Sequence, residues 1–146
     1  KLLPQPLLYL SGFFEKNRSE YYNLLLAVSQ RGRWEEWLSF FLTGIRDQSR
    51  VTTRCVQGLQ TLRAKYYGLH AGKRDGLRLN KLVDYLIGSP IVTIKQVKDG
   101  LGLTDYKIAQ RYVTKLQDEG ILREITGKTR NRLFRADEIL RVIESA

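Results

Sequence analysis

Between Thr93 and Arg135 the chain places helix starts, helix stops and short apolar runs on a spacing that few folds accept. Thr93 with Gln96 three residues on is a capping-box start, since the threonine hydroxyl can take an amide of the first turn while the glutamine reaches back to the cap. The segment Gly100-Leu101-Gly102 ends that short helix where positive φ costs little. Thr104 then reads as the N-cap of a second helix, whose Ile108, Ala109, Tyr112, Val113 and Leu116 recur at helical spacing, so one stripe faces a core and the other face is polar. Gly120 stops it. Ile121 to Ile125, Thr126 to Asn131 and Arg132 to Arg135 read as strand, turn and strand. Upstream, Leu77 to Ile87 supplies a preceding helix closed by Pro90.

This order resembles the winged helix-turn-helix superfamily, with the hairpin as the wing. The resemblance implies that the second helix of the motif enters the major groove of DNA. Laid onto this chain, its exposed face carries Asp105, Tyr106, Lys107, Gln110, Arg111 and Thr114. Lys107, Gln110, Arg111 and Thr114 are the expected DNA contacts on that helix, because arginine can pair with guanine, glutamine with adenine, and lysine or threonine with phosphate. Lys128, Arg130 and Arg132 surround the hairpin turn and would neutralise phosphates without reading sequence. Asp105 argues the other way. The competing reading is a surface that docks a target protein or only packs, since many winged helices do so.

Composition sets outer bounds. At 146 residues and 42% hydrophobic, the chain holds one domain or two small ones, and two is the expectation. Net charge is +10, which favours anionic partners. The excess is central: basic and acidic residues number 7 and 5 over 1–50, 9 and 3 over 51–100, and 9 and 7 over 101–146. Arg50, Arg54, Arg63, Lys65, Lys73 and Arg74 supply much of it, outside the helix expected in the groove.

One cysteine, Cys55, excludes an internal disulfide; it shares an apolar helical stripe with Leu59, Leu62 and Tyr66 and is expected as a buried thiol. A single histidine and no clustered cysteines leave no zinc ligand set. No apolar run reaches the ~20 residues of a membrane helix, so no membrane partner and a cytoplasmic location are expected. The start on Lys1-Leu-Leu-Pro-Gln-Pro, without methionine, reads as a cut piece of a longer protein.

The first half reads as helices throughout: Leu7 to Glu15, then a helix capped by Asn17 and ended by Gly32, then an aromatic stripe of Trp34, Trp37, Leu38, Phe41 and Ile45, then a longer helix from Asp47 to Tyr67. Gly68 to Gly76 reads as a linker, with His70 an exposed bystander in it. The expected organisation is therefore 1–67, a 68–76 linker and 77–146: a mainly α chain in which a helical bundle remnant precedes a winged helix-turn-helix domain with a small β-hairpin.

Catalytic signatures are missing. There is no Walker loop, no Gly-x-Gly-x-x-Gly and no Gly-x-Ser-x-Gly, and the adjacent Glu35 and Glu36 diverge on a helix too far to act as an acid/base pair. Yet Pro6-Leu-Leu-Tyr-Leu-Ser11, Arg18-Ser-Glu-Tyr-Tyr22 and Gly32-Arg-Trp-Glu-Glu-Trp-Leu-Ser-Phe-Phe-Leu42 together closely resemble the C-terminal helices of Fic-family proteins, over residues 1–66. Many members carry a winged helix after that core. The resemblance implies a full-length protein that transfers AMP from ATP, with magnesium, to protein hydroxyls.

The family signature His-Pro-Phe-x-Asp/Glu-Gly-Asn-Gly-Arg, which supplies the general base and phosphate cradle, does not occur here. The Ser/Thr-x-x-x-Glu-Gly/Asn inhibitory motif of some relatives is absent too. This chain alone therefore has no expected activity and no cofactor of its own. By the resemblance, Tyr21 and Tyr22 line the adenine side of a nucleotide pocket, a role that suits a flat ring with a hydroxyl; Tyr21 also falls on a stripe with Leu25 and Val28 that reads as ordinary core. The expected partners are an upstream Fic core, a target protein or double-stranded DNA, and a second copy in a homodimer. The alternative is a DNA-binding regulator whose helical half dimerises.

Overall fold

A computed structural model describes residues 9–145. Its elements run α1 (Ser11–Lys16), α2 (Arg18–Arg31), α3 (Trp34–His70), α4 (Gly76–Gly88), β1 (Ile91–Thr93), α5 (Ile94–Gly100), α6 (Tyr106–Asp118), β2 (Arg123–Glu124), β3 (Leu133–Arg135) and α7 (Asp137–Glu144). The protein is mainly α, with one small antiparallel sheet in the order β1-β3-β2. The expected helix start at Pro6 and Leu7 lies outside the described residues.

Two compact units divide at Arg54 and Cys55, within α3 rather than at the 68–76 segment expected as a linker. The reason is that α3 is one helix, where the residue pattern suggested two. Nothing between Ile45 and Tyr67 breaks it: no proline intervenes, and Ser49 and Thr53 place their hydroxyls on the Ile45 and Ser49 carbonyls one turn back, within the helix. The helix also continues three residues beyond Tyr67, to His70.

The first unit is built on rings. Phe14 lies 4.9 Å from Tyr21, 6.5 Å from Trp37, 6.2 Å from Phe40 and 6.3 Å from Phe41, and Phe13 lies 5.1 Å from Phe40. Offset and tilted rings at these spacings favour one another beyond their apolar area. Gly32 ends α2 as expected, whereas Asn17 makes no capping bond through its side chain and donates instead to the Phe13 carbonyl. Leu26, Trp34, Leu38 and Leu42 stay half exposed.

The second unit has a closed core. Leu79, Leu82, Val83 and Leu86 of α4 meet Val92, Val97, Phe134 and Ile139, together with the expected α6 stripe of Ala109, Tyr112, Val113 and Leu116; Ile108 packs at its edge. Val92 pairs with Phe134 across β1 and β3, which puts both on the core face. Glu124 also pairs with Phe134, from β2.

Local signals resolve with some corrections. Thr93 forms the full capping box with Gln96. Of the two turn glycines, only Gly102 has positive φ (62°); Gly100 is helical, and a side chain there would collide with the Tyr85 ring. The cap of α6 is Asp105, whose side chain accepts from the Lys107 amide at 2.7 Å, and Thr104 precedes it. Ile121 and Leu122 do not begin the strand; their amides return to the Leu116 carbonyl, which closes the end of α6 and sinks both side chains into the core. Cys55 is only partly buried.

His70 is the largest departure. It is 1% exposed, with Nδ1 against Asn80 and Nε2 against Glu119. The glycines around it mark a tight corner from α3 to α4, where Gly76 leaves no room for a Cβ beneath the His70 carbonyl.

Candidate nucleic-acid interface

Helix α6 presents its polar face as its stripe requires. Lys107, Gln110, Arg111 and Thr114 are exposed and line one shallow depression with Lys115 and Asp118. The four residues expected as contacts on this helix are therefore brought together. Asp105 stands just before them with its carboxylate committed to the cap, which explains an acidic residue at the head of a basic face.

The hairpin is shaped by Glu124. Its carboxylate accepts from the Thr126 amide and hydroxyl and from the Gly127 amide. Hydrogen bonds from Thr126 hold that carboxyl below its ordinary range, helped by Gly127 and the Arg132 charge. The turn that displays Lys128 and Arg130 is thus tied at its base, and both cations project into solvent. Arg132 behaves differently: its guanidinium lies 5.3 Å from the Phe134 ring, so the side chain is drawn along the sheet rather than out at the tip.

That position gives Arg132 a place in a cleft of about 520 Å³, whose walls are Thr93, Ile94, Lys95, Lys98, Thr104, Tyr106 and Asn131. Three cations, three hydroxyls and an amide line it. No carboxylate does. A phosphate backbone suits such a lining, since the cations neutralise it and the hydroxyls and amide donate to its oxygens. The sequence pattern does not single out Lys95 or Lys98. Their signal is the capping box at Thr93, which turns the first α5 residues toward α6, but that inference needs the tertiary placement of the hairpin.

Half of the six central cations singled out by charge are spent on ion pairs within the second unit. Arg63 bonds Asp84 at 2.6 Å, Lys65 bonds Glu138 at 3.0 Å, and Lys73 bonds Glu119 at 2.8 Å. Arg123 and Arg135 share Asp137. These cations brace elements and are not aimed at a ligand.

In the first unit Tyr21 belongs to the ring cluster, 4.9 Å from Phe14 and 5.5 Å from Trp37. Tyr22 is exposed, its ring 5.3 Å from Tyr21 with the Arg18 guanidinium 5.9 Å above it. The two expected nucleotide contacts are neighbours, and Tyr22 is the more exposed of them. Among the described residues no group of three or more His, Cys, Asp or Glu is placed to hold a metal ion, and no helix is long and apolar enough to cross a membrane. No protein-family model matches the chain.

Proposed function

We propose that this chain is the C-terminal, non-catalytic part of a cytoplasmic Fic-type protein adenylyltransferase, and that its second unit is a winged helix that grips double-stranded DNA. The observation that carries the DNA role is the carboxylate-free cleft of Lys95, Lys98 and Arg132 beside the basic face of α6. Lys107, Gln110, Arg111 and Thr114 then face base edges and phosphates, while the cleft takes the adjoining backbone. Lys128 and Arg130 add charge from the hairpin tip. Retardation of duplex DNA by the chain, weakening steeply with salt, is the expected result; no retardation of any duplex at low salt would make the same face a dock for a target protein.

The Fic reading is supported by the way its sequence blocks converge. Phe14, which follows the first block, Tyr21 of the second and Trp37, Phe40 and Phe41 of the third meet in one ring cluster, so their spacing answers to packing as well as to resemblance. The AMP-transfer chemistry, with ATP and magnesium, belongs to an upstream core, against which the half-exposed Leu26, Trp34, Leu38 and Leu42 would pack. Tyr21 and Tyr22 would contribute one wall of the nucleotide pocket. Reading the encoding gene upstream of Lys1 tests this: a His-Pro-Phe signature is expected. Its absence favours the second reading, a DNA-binding regulator that uses those same apolar residues to form a homodimer.

A further inference from the structure

One part of the central charge stays outside the ion-pair scheme. Arg74 makes no ion pair or hydrogen bond among the described residues, and it borders a cavity of about 510 Å³ whose other walls are Asp75, Leu77, Arg78 and Arg111. Three guanidinium groups thus converge from the α3–α4 corner, from α4 and from α6. Two are positioned by the fold. The Arg78 Nη1 donates to the Tyr112 hydroxyl at 3.2 Å, and the Arg111 Nη2 lies 3.7 Å from Asp75.

The single carboxylate cannot satisfy three guanidinium groups. At 3.7 Å it holds Arg111 loosely, and it gives no capping bond to α4. Guanidinium forks match the oxygens of a phosphate group, and a pocket with three of them and one acid retains a net positive charge. We infer that this cavity seats a backbone phosphate of the duplex, on the α4 side of α6, and so extends the footprint beyond the helix and the hairpin. The inference rests on the DNA reading above. Arg111 is then shared between Asp75 and the phosphate, and Asp75 limits affinity.

Two substitutions test it. Replacing Arg74 removes one phosphate partner and no interaction within the fold, so Arg74→Ala is expected to lower the slope of log affinity against log salt by about 0.9, equivalent to roughly eight-fold weaker binding at 0.1 M salt. Asp75→Asn keeps the shape and removes the competing charge, and is expected to tighten duplex binding about five-fold, the size of one charge interaction at 4 Å in water. Melting curves of both variants should match the parent. If the parent binds duplex DNA and either variant binds with unchanged affinity and slope, the phosphate seat is wrong and the DNA reading survives. If the parent binds no duplex at all, both fall together.

Discussion

The Nε2 of His70 lies 2.9 Å from the Glu119 carboxylate, while its Nδ1 lies 2.7 Å from Asn80 Oδ1. One side chain at the end of α3 therefore ties α4 to the end of α6. Both ring nitrogens lie within hydrogen-bond distance of a side chain from another helix, so the ring is engaged on both sides. Lys73 closes the group from the outside by bonding the second Glu119 oxygen at 2.8 Å.

Removing that ring should be costly. His70→Ala leaves Asn80 and the mostly buried Glu119 without their partner, and the expected loss is roughly 2–4 kcal/mol of unfolding free energy. Chemical denaturation of the parent and variant measures it. A loss under about 0.5 kcal/mol, the scale of an ordinary surface change, would mean that the buried bonds contribute little.

Acid should loosen the same junction. Burial pushes the Glu119 carboxyl up, but the hydrogen bonds and charges of Lys73 and His70 outweigh it and leave the group below its ordinary value. A depressed carboxylate stabilises the fold above its unfolded pKa, and that contribution is lost as pH falls through the folded value. Melting temperature should therefore drop as pH falls through and below the ordinary carboxylate range, near pH 4, and Glu119→Gln should flatten the part of that drop it carries. Asp84, Asp137 and Glu138 are depressed as well, so some acid sensitivity will remain.

In DNA binding, the lysines of the cleft should act as pure phosphate partners. Lys95→Ala combined with Lys98→Ala is expected to weaken all duplexes alike and to reduce the salt slope by about 1.8, the value for two phosphates. Gln110→Ala should instead relax preference at particular base pairs, by about 1–3 kcal/mol for a bidentate pairing removed. Binding titrations over a salt series, with several duplex sequences, separate the two classes.

The chain by itself should transfer no AMP. It carries neither the His-Pro-Phe base nor the phosphate cradle, and the buried His70 is engaged on both nitrogens. Incubation with labelled ATP and magnesium should leave the chain and any candidate target unlabelled; label on either would show that another group here does the chemistry.

The second unit is legible in the sequence where a helix or turn announces itself locally. The Thr93 box, the α6 stripe and the hairpin turn at Thr126 depend on residues close in sequence, and the structure keeps them. The strand β1 is not legible, because three residues beside a proline gain their pairing only from β3, some forty positions on. His70 departs from expectation for the same reason. Glycines on both sides suggest exposure, whereas its burial is decided by Asn80 and Glu119 arriving from other helices. The site divides along this line: the α6 residues follow from periodicity, while Lys95, Lys98 and Arg74 become candidates only once their neighbours in space are known.

Asp105 sets a boundary on tuning this surface for tighter grip. Its charge opposes a polyanion, yet its carboxylate secures the first turn that carries Tyr106 and Lys107. Deleting the side chain trades repulsion for fraying. Serine or asparagine caps a helix about as well as aspartate without the charge, so if the face grips DNA as proposed, the same backbone admits a stronger binder one conservative step away.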